Sequence, residues 1–521
     1  MSIELIPDCL DLMDEHGPTS PIFNSYFLRV KADLLENDDI AIGLVVLIGH
    51  LKDEAGDALV LLGLLLDEAR MGLENDGAHA SDFLANVEMA IEAGFEAGAF
   101  EGRQLMEFAA QYQRVGLPIP NSLLIDPDEM PLPKDAEDID PSESLEKIAM
   151  ELLANGGSPY DLFSGLDEMT AVMPDNMKAG FANHLATLPD PVFGRCALYY
   201  VLTGSALVQE AAVAGLFERL NTLDLPADVV KLLPNIRGWL PSGETRAAVD
   251  ALIKQARRKG VGEQVKFHEP CRLLEINTTI TDGVGAQSIS IIAERGGKVA
   301  VAMLLTKDGY GVKDAFVMPC EDLEEAESMV IRSKIEADAA PVSLSTITVL
   351  LEAAFADGVD NGCLPAPGIL DVLETCDLLE LRPQTLSLQR LLEVADPDRK
   401  IQNASAQSLG RWINSEDALE LLEPLTDSWF EDSEETRNIV ATTKSFRTVQ
   451  TKIWKYLEKH RDLWARRFLQ TAVMLKDAEQ LAEWQTLTAS AHGLMTGRAL
   501  KRIPLMEEIV FITIDAAESQ M

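Results

Sequence analysis

Cysteine is scarce in this chain and widely spaced. The 521 residues contain six cysteines, and no two of them form a Cys-x-x-Cys pair. Small disulfide-stabilised domains concentrate many cysteines in a short chain, whereas this spacing is typical of proteins from a reducing compartment. We therefore expect a cytoplasmic protein without a disulfide framework. The cysteines are Cys9, Cys196, Cys271, Cys320, Cys363 and Cys376.

Long apolar runs are also missing. The longest lie near residues 41–49 and 58–66, and charged residues separate them. A helix needs ~20 apolar residues to cross a bilayer, so these runs predict two buried helices of a hairpin and no membrane partner. The first 14 residues carry acidic side chains and no basic segment, so we expect no secretory signal peptide.

Positive charge is in short supply. Asp and Glu number 85 against 44 Lys and Arg, which gives a net charge of −41. A surface this acidic repels phosphate backbones and anionic lipids, so nucleic acid is an unfavourable partner. The apolar share of 47% is that of an ordinary globular protein. The length allows roughly three to four domains.

Several motifs that carry well-known chemistry are absent from the sequence. The chain has no GxxxxGK[ST] phosphate loop, no GxSxG, no HExxH, and no GxGxxG after a predicted strand. The ATPase, dinucleotide-binding, α/β-hydrolase and zinc-protease classes therefore lack their signatures. We expect no cofactor, and the sequence favours a non-enzymatic role.

Helical periodicity dominates what the sequence does contain. Residues 1–122 show helix-length apolar patterns punctuated by Gly and Pro, which predict a compact helical array. Residues 123–146 differ in composition. Between 126 and 146, four prolines and nine acidic residues stand against one lysine, a composition typical of an extended, solvated linker.

Helical patterns resume over 147–265 and include an internal repeat. The segment QEAAVAGL at 209–216 recurs 36 residues later as TRAAVDAL at 245–252. A period in the thirties, with two helices per unit and small residues at the contact face, resembles HEAT-type helical repeats; an ordinary helical domain is the alternative. Repeat arrays bind along a concave face, and the candidate binding residues here are Gln209, Glu210, Arg246 and Asp250.

Residues 266–322 predict a four-stranded antiparallel β-meander, because short Ile-, Val- and Thr-rich runs alternate with Asp-Gly and Gly-Gly turns. Such a sheet needs a cover, and the helix expected at 322–334 is the candidate. Residues 323–395 are predicted to be a helical segment packing on the meander, and 396–521 a C-terminal helical domain. The expected fold is therefore mainly α with one small antiparallel meander, α+β overall. The predicted strands are 273–280, 288–294, 298–306 and 313–318.

The meander turns hold the residues from which a catalytic site is most readily built. Asp282, Asp308 and Asp314 offer carboxylates for Mg²⁺, and Lys313 offers a positive charge, as a metal-dependent hydrolase or nuclease requires. No Glu-x-Lys triplet follows in the order expected of a nuclease, and Asp-Gly pairs are common turn chemistry. We predict no other metal site.

One segment reverses the overall charge. Residues 444–467 hold eight basic and two acidic residues, with tryptophan and tyrosine interleaved. Helical spacing predicts one continuous core-facing stripe at 453, 457, 460, 464 and 468. It places Lys452, Lys455, Lys459 and Arg466 together on the other face. That face either pairs with acidic surface of the same chain or of a partner subunit, or binds another macromolecule; the overall charge disfavours nucleic acid.

The leading functional hypothesis is a scaffold that binds a protein partner, or self-associates, through its helical arrays. The meander would then be an inserted module. Two alternatives remain: a metal-dependent hydrolase with its site at the meander turns, and a small-molecule sensor with a pocket between meander and helices. A groove along successive second helices would favour the scaffold, and clustered carboxylates would favour the hydrolase.

Overall fold

The structure is a computed structural model that describes residues 5–74, 78–100, 102–124, 141–203, 205–261, 269–336, 339–479 and 481–519. The fold is mainly α-helical with one small antiparallel sheet, which confirms the predicted class. Contacts divide the chain into two compact units, Met1–Lys178 and Ala179–Met521. Most of the predicted acidic linker, residues 125–140, lies outside the described ranges.

The first unit contains helices α1 Leu5–His16, α2 Pro21–Leu35, α3 Asp38–Leu51, α4 Gly56–Glu74, α5 Ala78–Glu96, α6 Gly102–Arg114, α7 Pro141–Ala154 and α8 Pro159–Met169, and α9 Asp175–Thr187 crosses the division. The second unit continues with α10 Pro191–Tyr200, α11 Ala206–Thr222, α12 Ala227–Trp239 and α13 Glu244–Arg258. The sheet region holds β1 Arg272–Thr278, β2 Ala286–Arg295, β3 Lys298–Lys307, β4 Gly311–Cys320, α14 Leu323–Glu336 and β5 Ala340–Pro341. Then follow α15 Leu344–Asn361, α16 Ile369–Thr375, α17 Leu388–Ala395, α18 Ala406–Ile413, α19 Glu416–Thr426, α20 Glu434–Thr442, α21 Phe446–Lys459, α22 Arg461–Asp477, α23 Leu481–Met495 and α24 Pro504–Ser519.

The first unit is built around the two apolar runs expected as a helical hairpin. Helix α3 begins where the Asn37 side chain accepts a hydrogen bond from Asp39 N (3.0 Å), which satisfies one of the unpaired amides at the helix start. A 3₁₀ turn at Lys52–Glu54 leads into α4, and both runs are buried in one core. No helix among the described residues is long and apolar enough to cross a membrane.

In the second unit, α10 to α13 form two consecutive helical pairs. Helix α10 packs on α11 and α12 on α13, while α11 and α13 lie side by side. Gly215 on α11 permits close packing against α9, because a Cβ there would lie 2.5 Å from the carbonyl oxygen of Asn183. The repeated segments 209–216 and 245–252 therefore lie on neighbouring helices. The resemblance to HEAT-type repeats itself stays a prediction.

A buried arginine closes the C-terminal end of α9. Arg219 on α11 is 1% exposed. Helical amides cannot satisfy the last carbonyls of a helix, and the Arg219 guanidinium takes over that task for α9 and the turn into α10. It also donates from Nε to the carbonyl oxygen of Asp224 (3.3 Å). Its Nη atoms donate to the carbonyl oxygens of Ala186 (3.2 Å), Leu188, Pro189 (3.0 Å) and Asp190 (3.1 Å).

The sheet is antiparallel with strand order β4-β3-β2-β1-β5. Strands β1 to β4 form the predicted meander, and its β2–β3 turn is Gly296-Gly297, with φ values of 59° and 75°. Glycine adopts this left-handed backbone without strain, which is why it marks such turns. A fifth strand, which was not predicted, lies beyond the meander. The short strand β5 pairs with β1, where Pro341 lies opposite Asn277.

Helices cover both faces of the sheet. On one face, Ala326 and Val330 of α14 pack on Ile292 and Val301, so this helix is the cover expected at 322–334. Side chains alternate along a strand, so the next residue of β3, Ala302, faces the opposite side, where it is also buried. Helices α15 and α16 contact the β3–β4 edge, and they close that second face.

The C-terminal helices share one core, and they correct the prediction of a single stripe. The chain leaves helical geometry at His460 (φ −103°, ψ 19°), so the segment forms two helices, α21 and α22. Ile453 and Leu457 of α21 nevertheless join Trp464 and Phe468 of α22 in the same core. The apolar positions were predicted correctly, but the shared polar face was wrong because the helix axis changes between Lys459 and Arg466.

The β1–β2 turn is tied to a distant loop at residues 428–430. Trp429 is fully buried, and its Nε1 donates to the carbonyl oxygen of Thr281 (2.8 Å). Next to this bond, a Cβ at Gly283 would lie 2.1 Å from the carbonyl oxygen of Ser428 and 2.9 Å from the amide nitrogen of Phe430. Both contacts are with backbone, so the loop and turn can approach this closely only with glycine at 283.

We expect Gly283→Ala to lower the free energy of unfolding of the second unit by ~1–3 kcal/mol, because the added methyl group forces one backbone away from the other. Urea denaturation measures the change. Gly180→Ala in α9 is the matched control: nothing lies within 4 Å of a Cβ there, and alanine is the better helix former. A loss as large in the control variant would contradict the steric explanation.

Candidate functional site: a polar cavity beside the sheet

A polar cavity lies where the meander turns meet α15 and α22. Its volume is about 170 Å³, roughly ten times the ~10–15 Å³ that one ordered water needs. The walls come from the two neighbouring meander turns, residues of α15 between 350 and 360, residues 385–386 and two side chains of α22. Its polar lining residues are Thr281, Gln287, Thr306, Lys307, Asp308, Asp357, Asp360, Thr385, Arg466 and Gln470.

Two turns of the meander are joined at the edge of this cavity. The amide of Asp308 donates to the carbonyl oxygen of Gly285 (3.0 Å), which holds the β3–β4 turn against the β1–β2 turn. Gly285 has a φ of +81°, and a Cβ there would lie 2.4 Å from Oδ2 of Asp308. Glycine meets both requirements, so the Asp308 carboxylate can rest against the backbone.

The carboxyl group of Asp308 is perturbed by this environment. Burial raises the pKa of Asp308 to about 6, because a low-dielectric setting disfavours the charged form. The nearby charges of Asp357 and Asp282 act in the same direction, while those of Arg467 and Arg466 oppose it. The Arg467 Nε lies 3.9 Å from Asp308 Oδ2, too far for a hydrogen bond. Asp308 therefore takes up a proton at a higher pH than an ordinary aspartate does.

Four side chains at this place keep buried polar atoms that make no hydrogen bond within the described residues. They are Thr281 Oγ1, Asp308 Oδ2, Gln470 Oε1, and Nε and Nη1 of Arg467. Thr281 is 1% exposed, and the Arg467 guanidinium stacks 4.8 Å from the centre of the Trp464 ring. A buried polar atom without a partner costs ~1–3 kcal/mol. Three of the four residues, Thr281, Asp308 and Gln470, line the cavity.

Asp282 was predicted to be a catalytic carboxylate, and the structure gives it a role in the turn. Its Oδ1 accepts hydrogen bonds from the amides of Val284 (3.0 Å) and Ala286 (2.7 Å). This arrangement, in which an Asp side chain imitates a backbone turn, is a common use of Asp before glycine. Burial raises the pKa of Asp282, and its charge acts on Asp308 from behind the cavity wall.

The other two predicted catalytic residues lie away from the cavity. Asp314 on β4 accepts a hydrogen bond from the amide of Ala315 (2.8 Å), and the Nζ of Lys313 lies 5.2 Å from the centre of the Tyr310 ring. Neither residue lines the cavity. In the part of the chain that the structure describes, no group of three or more His, Cys, Asp or Glu is placed to hold a metal ion. The hydrolase hypothesis therefore has no ligand set in these ranges.

The residues predicted to form a binding face on the repeat helices are mostly engaged within the chain. Gln209 and Arg246 each donate to a nearby backbone carbonyl. Asp250 accepts from the Nε of Arg237 (2.6 Å), and this bond lowers the pKa of Asp250. Glu210 is exposed. Of the four, it is the side chain that the surface presents most openly.

The predicted basic face divides between two helices. On α21, Lys452 donates to the hydroxyl of Thr443 (2.8 Å), Lys459 pairs with a carboxylate of α20 (3.0 Å), and Lys455 is exposed. Arg466 belongs to α22, where it donates to the carbonyl oxygen of Leu386 (2.9 Å) and lines the cavity. Grouping Arg466 with the three lysines was therefore wrong, because the chain turns at residue 460.

Of the four residues with unpartnered polar atoms here, only Asp308 was predicted; Thr281, Arg467 and Gln470 were not. The sequence could have indicated Arg467, since it is placed one residue before Phe468 and three after Trp464, on the core side of α22. A charged residue at a buried helical position is uncommon unless it has a partner. Nothing in the sequence indicates Thr281 or Gln470, because an isolated threonine or glutamine is compatible with almost any surface or core position.

Comparisons with known proteins agree along nearly the whole chain. Family models described as "Uncharacterised protein y4lR N-terminal domain", "Y4lR second domain" and "Y4lR C-terminal helical domain" match residues 4–120, 174–260 and 389–518. A protein of Sinorhizobium fredii (strain NBRC 101917 / NGR234), described as "Uncharacterized protein y4lR", is 44% identical over 522 residues, which cover 99% of each chain. No solved structure matches. The sheet lies between the second and third matched segments, whereas Arg466 and Gln470 lie within the third.

Proposed function

The chain belongs to the Y4lR family, and we propose that it is a sensor that binds a small polar molecule in the cavity between the meander, α15 and α22. One observation carries the proposal: buried polar atoms of Thr281, Asp308 and Gln470 converge on one cavity without hydrogen-bond partners. A ligand that supplies those partners recovers the ~1–3 kcal/mol that each such atom costs. The structure therefore gains stability when the site is filled.

The position of the cavity supports a sensing role. Its walls come from segments as distant in sequence as Thr281 and Gln470, so a ligand that contacts both strengthens the packing of the sheet against α22. A ligand shifts a conformational equilibrium only by its difference in affinity for two states. Contacts made across a junction exist only when the junction is closed, which gives that difference. Six cysteines that are all free thiols support the further proposal of a cytoplasmic location.

The other hypotheses have less support. A metal-dependent hydrolase would need a carboxylate cluster, and Asp282 is occupied by its own turn. A protein-binding scaffold would use the outer surface of α11 and α13, where three of the four candidate side chains already have partners within the chain. That hypothesis rests on Glu210 and stays a second proposal.

Replacing Thr281 by valine tests the proposal through a matched pair of variants. We expect Thr281→Val to leave the stability of the ligand-free protein unchanged or to raise it by up to ~1 kcal/mol, because it removes a buried hydroxyl that has no partner. Thr306 also lines the cavity, but its hydroxyl donates to the carbonyl oxygen of Gln287 (3.3 Å). Thr306→Val should therefore lose ~1 kcal/mol. Urea denaturation of both variants measures the difference.

Native mass spectrometry of the full chain, purified gently from its own host, tests for the ligand itself. We expect a small polar molecule to travel with the wild-type protein and to be lost from Thr281→Val, which keeps the fold. A panel of small polar metabolites should raise the melting temperature of the wild-type chain more than that of Thr281→Val. A wild-type protein that carries nothing and responds to nothing would overturn the proposal.

A further inference from the structure

The chemical class of the ligand can be inferred from the buried lining atoms that lack hydrogen-bond partners and from the charged residues around them. Resting on the proposed function, we infer that the cavity takes a zwitterion of the amino-acid type. Its ammonium group is bound by Asp308, Thr281 and Gln470, and its carboxylate by Arg466.

The unpartnered atoms of the lining form an acceptor set. Asp308 Oδ2 and Gln470 Oε1 are acceptors, and Thr281 Oγ1 has lone pairs that accept as well. A primary ammonium carries three N–H donors and no acceptor, so its needs match one carboxylate, one amide and one hydroxyl oxygen. A hydrogen bond to an ionised carboxylate is about twice as strong as one between neutral groups. Asp308 is therefore the principal anchor for the ammonium.

Positive charge lies within reach of the same acceptors. Arg466 and Gln470 are separated by one turn of α22, and side chains at that spacing share a helix face ~5–6 Å apart. The Arg466 Nη1 donates to the carbonyl oxygen of Leu386 (2.9 Å), which fixes the guanidinium at the cavity wall. A guanidinium presents five donors in a planar fork that suits a carboxylate. Neighbouring residues of the cavity can thus bind both the ammonium and the carboxylate of one small molecule.

The mixture of charges disfavours ligands of a single sign. A simple carboxylic acid would approach Arg466 but meet Asp308 and Asp360, and a simple amine would reverse the problem. Leaving a charge unpaired in a confined site is expensive. A neutral polyol would leave the ionic groups without counter-charges. A zwitterion can place its ammonium beside Asp308 and its carboxylate beside Arg466.

The binding of an ammonium by Asp308 makes affinity depend on pH. The charged groups that act on Asp308 are Arg466 and Arg467 on α22, Asp357 on α15 and Asp282 in the β1–β2 turn, and Lys307 and Asp360 line the same cavity. Protonated Asp308 cannot pair with an ammonium group. Because the pKa of Asp308 is raised to about 6, affinity should be full well above that value and fall as the pH drops through it.

A thermal-shift and calorimetric comparison of three matched probes tests the inference. The twenty amino acids are tried singly on the full chain, and each that binds is compared with its decarboxylated amine and its deaminated acid. For alanine these are ethylamine and propionate. We expect at least one amino acid to bind and both truncated probes to bind at least about tenfold more weakly, as the loss of one buried ion pair implies.

Variants separate the ligand class from the existence of a site. Asp308→Asn and Arg466→Met should each weaken binding of the amino acid by at least about tenfold, and Asp308→Asn should also remove the pH dependence. Lys455→Met, on the exposed face of α21, should bind like wild type. If sugars or simple amines bind best, the zwitterion is wrong while the small-molecule site stands. If no probe binds and no ligand copurifies, both the zwitterion inference and the proposed sensor function are wrong. Circular dichroism of each variant confirms that it is folded.

Discussion

Replacing Arg219 with alanine is expected to lower the free energy of unfolding of the second unit by ~3–5 kcal/mol. The arginine is 1% exposed and donates to four carbonyl oxygens around the end of α9 and to that of Asp224 after α11. Alanine leaves those carbonyls buried without donors and opens a space beside Gly194, which packs against the arginine side chain. Unsatisfied buried acceptors cost more than the hydrogen bonds gained when they are made. Urea denaturation followed by tryptophan fluorescence measures the loss.

Two further variants define the cause of that loss. Arg219→Lys keeps the charge but has a single nitrogen with three donors, so it cannot reproduce the planar fork; we expect it to recover less than half of the loss. Arg237→Ala removes a half-exposed arginine from the same unit, whose pair with Asp250 is near solvent. Exposed pairs contribute ~0–1 kcal/mol. A loss in Arg237→Ala equal to that in Arg219→Ala would contradict the capping role.

Asparagine in place of Asp308 is expected to raise the free energy of unfolding by ~1–3 kcal/mol above pH ~6, and to leave it nearly unchanged near pH ~4. The unfolded chain releases the proton of Asp308 near an ordinary ~3.9, whereas burial raises the pKa in the folded protein to about 6. Below ~4 both states are protonated. Between these values the folded state holds the extra proton, so wild-type stability falls as the pH rises. Above ~6 the charged carboxylate imposes a constant penalty.

The prediction for Asp308 depends on a balance that already includes its arginine neighbour. Arg467 lowers the pKa of Asp308, but burial raises it more, so removal of the charge is favourable overall. Denaturation of wild type and Asp308→Asn across this pH range gives the two curves. Asp398→Asn, at an exposed position, should follow the wild-type curve. Parallel curves for wild type and Asp308→Asn would show that the folded-state carboxyl titrates normally.

Local sequence signals predicted most of the secondary structure, and they failed where structure depended on distant contacts. Asp-Gly and Gly-Gly turns between β-branched runs gave four of the strands. Strand β5 has two residues, one of them Pro341, and no periodicity can be read from so short a segment. The break at His460 was missed because neither proline nor glycine marks it. The apolar positions on both sides continue the helical spacing through the break.

The candidate site was predictable only in part. Asp282 and Asp308 were selected with Asp314 and Lys313 as candidate catalytic residues; in the structure Asp282 completes a turn and Asp308 lines the cavity. Arg466 was selected for its charge and assigned to the wrong surface. The decisive atoms of Thr281 and Gln470 lie nearly two hundred residues apart in the chain. Their meeting is a result of tertiary packing, which leaves no spacing rule in the sequence.

The hydrogen bond from Trp429 to the Thr281 carbonyl joins two residues that the ribosome makes at different times. The two residues are 148 positions apart, and ribosomes add ~5–20 residues per second, so Thr281 is synthesised ~7–30 s before Trp429. Helix α22 arrives later still. A nascent chain that stops before α22 would carry a complete meander but would lack Arg466 and Gln470, two residues of the cavity wall.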